Sequence, residues 1–180
     1  MPDHALAGPA AARRVVLYPD PVLRRRALPV ARIDASIRAL VADMFATMDA
    51  EDGAGLAAPQ IGESLRIFVT GTSERDVARR AYLNPVLVDV TGDLEPMEEG
   101  CLSLPGIRGS VRRPTTVTIR ALDLEGNEFT ETSSAFAARV WQHEFDHLEG
   151  VLITDKMNPI DRLRVRRALK DLKLSAGADG

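Results

Sequence analysis

The run Gln142-His143-Glu144-Phe145-Asp146-His147-Leu148-Glu149-Gly150 constrains the chain more than any other feature. Its two histidines stand four residues apart, so a helix brings both rings to one face, about one turn apart. Two imidazoles at that spacing can hold a single ion, and Glu144 beside the first can reach a water on that ion. The helical pattern begins at Ser133 or Ser134 and runs to Glu149, with Gly150 where a C-cap glycine belongs. A surface helix with two solvated histidines would show the same short pattern.

A hydrolytic ion usually takes three protein ligands and keeps one place for water. After Gly150 there is no His or Cys, and the acids there are Asp155, Asp161, Asp171 and Asp179. The only other histidine, His4, lies near the start of the chain. The best remaining third ligand is Cys101, in Glu99-Gly100-Cys101-Leu102-Ser103. A lone cysteine is ordinarily a buried structural thiol, but an incomplete HExxH helix reverses that preference. A thiolate beside two imidazoles suits Fe(II), Zn(II), Ni(II) or Co(II) and disfavours Mg or Ca.

The 180 residues fit one ordinary domain. The net charge of -3 predicts no general affinity for DNA or a membrane surface. A single cysteine excludes an intramolecular disulfide and fits a reducing compartment. No apolar run approaches the ~20 residues needed to span a membrane. Met1 to Ala12 lack the basic start and apolar stretch of a signal peptide, and Pro19 and Asp20 interrupt the run after the twin arginine Arg13-Arg14. These features predict a cytoplasmic protein with a disordered tail over residues 1–13, a catalytic domain over 14–174 and a second tail over 175–180.

Pro19, Pro21 and Pro29 mark an extended, turn-rich opening. From Ile33, apolar residues at steps of three and four (Ile37, Leu40, Val41, Met44, Phe45, Met48) predict a helix capped by Asp34 or Ser36 and ending near Glu51. A glycine-rich loop follows, Gly53 to Gln60 (GAGLAAPQ), then a strand over Arg66–Thr70. The polar stretch from Thr72 to Arg80 reads as a loop. Tyr82–Val90 and Val117–Leu122 are further strands, and Glu125-Gly126-Asn127 turns the second into Glu128–Thr132 as a hairpin. A last helix is expected from about Asp161 to Leu174, entered through Pro159. Strands in the middle with helices at both ends give an α+β class.

Three of these segments, GAGLAAPQ, EGCLS and QHEFDHLEG, resemble the three signature motifs of the peptide deformylase family, in the family's order. The likeness spans roughly Val15 to Leu174. It implies an α+β fold with antiparallel β-sheets packed around a central HExxH-bearing helix, between an N-terminal and a C-terminal helix. It implies one divalent ion per chain on Cys101, His143 and His147, natively Fe2+, with Zn2+, Ni2+ or Co2+ forms also seen. Glu144 is then the acid/base residue, and the Gln60 amide and the Leu102 backbone N–H are oxyanion donors. The activity implied is removal of the formyl group from N-formyl-Met nascent peptides.

The likeness further implies that Ala54, Gly55 and Gly100 grip the peptide main chain as an added strand would. Phe136 and Val140 share a helix face with His143 and so could line the methionine pocket, with Arg139 at its rim. Arg108 resembles a position near the substrate. Gln142 and Asp146 are candidates to support a ligand from behind. The last helix carries Arg162, Arg164, Arg166, Arg167, Lys170 and Lys173, with an apolar side of Leu163, Val165, Leu169 and Leu172. It reads either as a docked amphipathic helix with a solvated basic face or as a contact for ribosomal RNA. A zinc endopeptidase, suggested by HExxH alone, would need its third ligand downstream. A non-catalytic metal-binding relative would not need Glu144 and Gln60.

Overall fold

The computed structural model describes residues 10–72, 74, 75 and 77–178. Helix α1 (Ala35–Ala50) starts where expected, because the Asp34 carboxylate accepts from the Ser36 and Ile37 N–H groups. Strands β1 (Gly55–Ala57), β2 (Ile67–Thr72), β3 (Val77–Gly100), β4 (Arg108–Leu122) and β5 (Glu128–Ser133) follow. They form one antiparallel sheet in the order β1-β2-β3-β4-β5. Helix α2 (Phe136–Leu148) carries the HExxH run, and α3 (Ile153–Lys156), α4 (Pro159–Arg164) and α5 (Arg166–Ala178) complete the chain. Among the described residues no helix is long and apolar enough to cross a membrane.

The apolar run in β2 has no polar alternation because both of its faces are covered. Ile67 and Val69 pack with Ile37, Leu40, Met44 and Met48 of α1. Phe68, between them, turns the other way and packs with Tyr82, Ile119, Ala138 and Trp141, joining α2 to the sheet. Helix α2 touches all five strands. A third cluster holds Leu104, Ile107, Val111, Leu152 and Met157, with Val165, Leu169 and Leu172 of the C-terminal helices against it.

Four expectations change. The polar stretch after Thr72 is not a long loop: β3 begins at Val77, paired with Thr72, and its polar side chains point outward. The strand predicted to end at Val90 continues to Gly100 through Gly92, Asp93 and Pro96. Shifts of register between Leu87 and Asp89 and between Thr91 and Leu94 absorb the irregular residues. Beyond Leu83, β2 no longer pairs with β3, so this half is an edge strand among the described residues, where proline is tolerated.

The last helix is broken at Val165 and its second half runs on to Ala178, past the expected end at Leu174. The break resets the buried face, so Leu163 points to solvent at 68% exposure. Of the expected N-terminal tail, residues 1–9 lie outside the described set. The end that is described is tied down: the Ala11 N–H donates to Asp43, and Arg13 reaches Thr47, Asp43 and Glu63.

Candidate metal centre and active site

The β3–β4 hairpin ends beside α2, and Cys101 is the first residue beyond β3. Its Sγ lies 3.3 Å from His147 Nε2. The ligand atoms of Cys101, His143 and His147 all fall within 4.8 Å of one another, although 41 residues lie between the cysteine and the first histidine. One soft and two borderline donors converging at that range fit a divalent transition-metal ion with an open fourth position.

Behind His143 stands Glu99, a residue the sequence reading passed over. Its Oε2 is 3.1 Å from His143 Nδ1. It also takes a bidentate pair from Arg113 at 2.7 and 2.9 Å and a third bond from Arg139 at 2.7 Å. Burial would raise the Glu99 carboxyl, but Arg113 and His143 outweigh it and hold it well below the ordinary carboxylate range. An ionised carboxylate can only accept, so Nδ1 is the donor and Nε2 is left to face the ligand cluster.

Arg139 is therefore not at a pocket rim. It is buried, bonded to Glu99 and to the Val111 and Glu95 carbonyls, because a guanidinium on this helix face meets the carboxylate before it meets solvent. Asp146 faces Arg113 and Lys156, so it belongs to the same chain of charges at one remove from His143. Gln142 donates to the Ala138 and Pro114 carbonyls, tying α2 to β4.

Glu144 is buried, and its Oε2 has no hydrogen-bond partner among the described residues. Burial pushes its carboxyl up to about 7; the positive charges of His143 and Arg113 offset this only in part. An unpaired buried oxygen costs about 1–3 kcal/mol, a cost kept where a guest supplies the partner. The two imidazoles diverge. Burial would lower His143, but Cys101, Glu99 and Glu144 raise it to about 10. Burial and the charges of His143 and Arg113 hold His147 well below its usual value. The buried His147 Nδ1 is likewise without a partner among the described residues.

Gln60 is buried, not an exposed loop residue. It sits in the 3-10 turn Ala58–Ile61. Its Oε1 accepts from the Ala57 N–H at 2.9 Å, which fixes the amide the other way round toward the site. Nε2 then lies 3.3 Å from Ser103 Oγ and 3.6 Å from Cys101 Sγ. Ser103, fully buried, is a second support that sequence reasoning did not single out. Leu102 follows Cys101 and packs against the α1 core.

Gly55 lies against the Glu144 side chain, and the Ala54 carbonyl before it accepts from the Gly71 N–H. Gly100 precedes Cys101 and abuts Arg108, whose exposed guanidinium pairs with Glu98. Val140 is buried on α2, while Phe136 is half-buried at its start under the Arg75 guanidinium, 4.5 Å from the ring centre.

Residues 12–163 match the family model described as polypeptide deformylase. A peptide deformylase of Chlorobaculum parvum is 46% identical over 160 residues, covering 87% of this chain and 85% of that protein. One from Thermotoga neapolitana is 42% identical, covering 91% and 98%. Among solved structures, a peptide deformylase from Plasmodium falciparum superposes with a TM-score of 0.87 at 39% identity, over 92% of this chain and 98% of that one. One from Legionella pneumophila gives 0.84 at 40%, over 93% and 98%. A cysteine sulfur and two imidazoles around one point, a buried glutamic acid side chain beside them and matches of this length lead to one assignment: the chain belongs to the polypeptide deformylase family.

Proposed function

We propose that this chain is a hydrolase that removes the N-formyl group from the N-terminal formylmethionine of newly synthesised polypeptides, releasing formate. The observation that carries this reading is the convergence of Cys101, His143 and His147 beside a buried Glu144 whose Oε2 has no partner among the described residues. The donor set fits one divalent transition-metal ion without choosing among Fe2+, Zn2+, Ni2+ and Co2+; the family likeness favours Fe2+ as the native one. When bound, such an ion supplies a Lewis acid that brings the pKa of water from ~16 to near 7 and polarises a carbonyl.

The chain's own groups do the rest. Glu144 takes the proton of the attacking water and hands it to the departing methionine amine; an acid poised near neutrality can do both. The Gln60 amide and the Leu102 N–H donate to the oxyanion that forms on the formyl carbon. A neutral amide suits this role because it places no competing charge beside the cation. Ala54, Gly55 and Gly100 hold the peptide by its main chain, which leaves the residues after methionine free to vary. Phe136 and Val140 line the methionine pocket. A cytoplasmic site of action, without a membrane or DNA partner, completes the reading.

The test is anaerobic purification, elemental analysis and measurement of formate release from formyl-Met-Ala-Ser, with casein cleavage measured in parallel. Formate release without casein cleavage is the expected result, and the reverse would overturn the reading. In the same assay Cys101→Ala should lose most of its bound metal and its turnover, since two imidazoles remain where three donors stood. Full metal occupancy in that variant would remove Cys101 from the ligand set.

The basic outer side of the C-terminal helices is proposed to contact ribosomal RNA. Arg166, Arg167 and Lys170 are exposed, while Val165, Leu169 and Leu172 are packed inward. Truncation here would open the core, so charge reversal is the cleaner probe. Reversing those three residues to Glu should weaken ribosome co-sedimentation and flatten its salt dependence. Unchanged binding at every salt concentration would dismiss the contact.

A further inference from the structure

Gly55 has no conformational reason to be glycine. Among the described residues the glycines with positive φ are Gly62, Gly92, Gly106, Gly126 and Gly150, and Gly55 is not one of them. It is an ordinary β1 residue, paired with Thr70. Its reason is across the site: a Cβ there would lie 2.6 Å from Glu144 Oε1 and 2.9 Å from both Cδ and Cγ of the same side chain, the three nearest atoms. Contacts that short require something to move.

The backbone of β1 has little room to retreat, since Leu56 and Ala57 are fully buried and their strand is bonded to β2. The backbone of α2 is held by buried Trp141, His147 and Leu148 around Glu144. The Glu144 side chain, by contrast, ends in a carboxylate with one oxygen unbonded among the described residues. The part that yields is the carboxylate.

We propose that Gly55 is a positioning residue: the space where its side chain would stand is the slot that fixes the Glu144 carboxylate in its reactive place. This rests on the reading of Glu144 as the acid/base group. It is separate from any contact of the Gly55 main chain with a peptide, because it acts through Glu144 and is carried by the missing Cβ.

The experiment uses the metal-loaded full chain with formyl-Met-Ala-Ser. For Gly55→Ala, kcat should fall on the order of a hundredfold, the scale of an ångström-sized misplacement of a reacting group. KM should stay within about threefold, since ground-state binding is not the target. Metal content should match the parent. In a Glu144→Ala background the same change should cost nothing further, because the atoms it displaces are gone.

A kcat within about twofold of the parent would overturn the proposal. So would a raised KM at constant kcat, or full additivity of the two losses. If Gly55→Ala folds poorly, the melting temperature decides. Recovery of stability in the Gly55→Ala/Glu144→Ala double variant supports the clash, and equal instability refutes it. Turnover by the parent protein separates failure of this idea from failure of the deformylase reading, which would show as no formate release at all.

Discussion

Glu144→Gln is expected to keep its metal, keep its fold and lose about 10²–10⁴ of kcat, the usual worth of a placed general acid/base. Glu144 adjoins His143 on one helix, its Oε2 is unbonded among the described residues, and burial has moved its carboxyl toward neutrality. An amide of the same shape fills the space and cannot accept a proton and return it. The helix loses no hydrogen bond to that oxygen, so stability should change little. Steady-state formate release, elemental analysis and a thermal melt on one preparation check all three parts. A kcat near the parent value would remove Glu144 from the chemistry.

Glu99→Gln is expected to damage the fold as much as the site. Glu99 lies between two guanidinium groups and an imidazole, and the Arg113 side chain is 2% exposed. Breaking a buried pair by removing one partner typically costs about 3–5 kcal/mol, because the other charge is left uncompensated. For a chain of this size that is a fall of roughly 6–20 °C in melting temperature. Loss of the bond to His143 should also weaken metal binding about 10–100-fold.

The sign of the pH dependence follows from the depressed Glu99 carboxyl. Its stabilising contribution is fully present above the unfolded value of 4.5 and is lost as pH falls through the lower folded value. The Glu99 share of the gap in stability between parent and variant should therefore narrow below about pH 4. Denaturant titrations of both proteins across that range test it; a gap that widens in acid would contradict the assignment.

Much of this site could be read from residue spacing. His143 and His147 had to share a helix face, and the lack of a downstream ligand pointed back to Cys101. The α1 helix was legible because its apolar positions and its Asp34 cap agree. The supports were harder to see, for a physical reason. Glu99 and Arg113 are charged, and charge reads as surface unless a partner is known. Yet both left a trace. Glu99 stands at the end of β3, two residues before Cys101, in the segment the three motifs had already marked. Arg113 falls on the odd-numbered face of β4 with Val111, Val117, Ile119 and Ala121, all buried. Carrying the alternation back from Thr116 would have flagged an arginine in a core position. The extent of β3 was hidden by Gly92 and Pro96, which break strands in a sheet interior but not along an unpaired edge.

That unpaired edge bears on how inhibition of this protein could be evaded. From beyond Leu83 to Gly100, the side of β3 turned away from β4 has no strand partner among the described residues, and it leads directly to Cys101. A drug that docks there as a strand would be gripped by main-chain amides and carbonyls, which any side chain but proline leaves in place. Apart from a change to proline, point changes cannot delete such contacts; resistance would have to arise by reshaping the neighbouring walls, by making more enzyme, or by dispensing with the reaction.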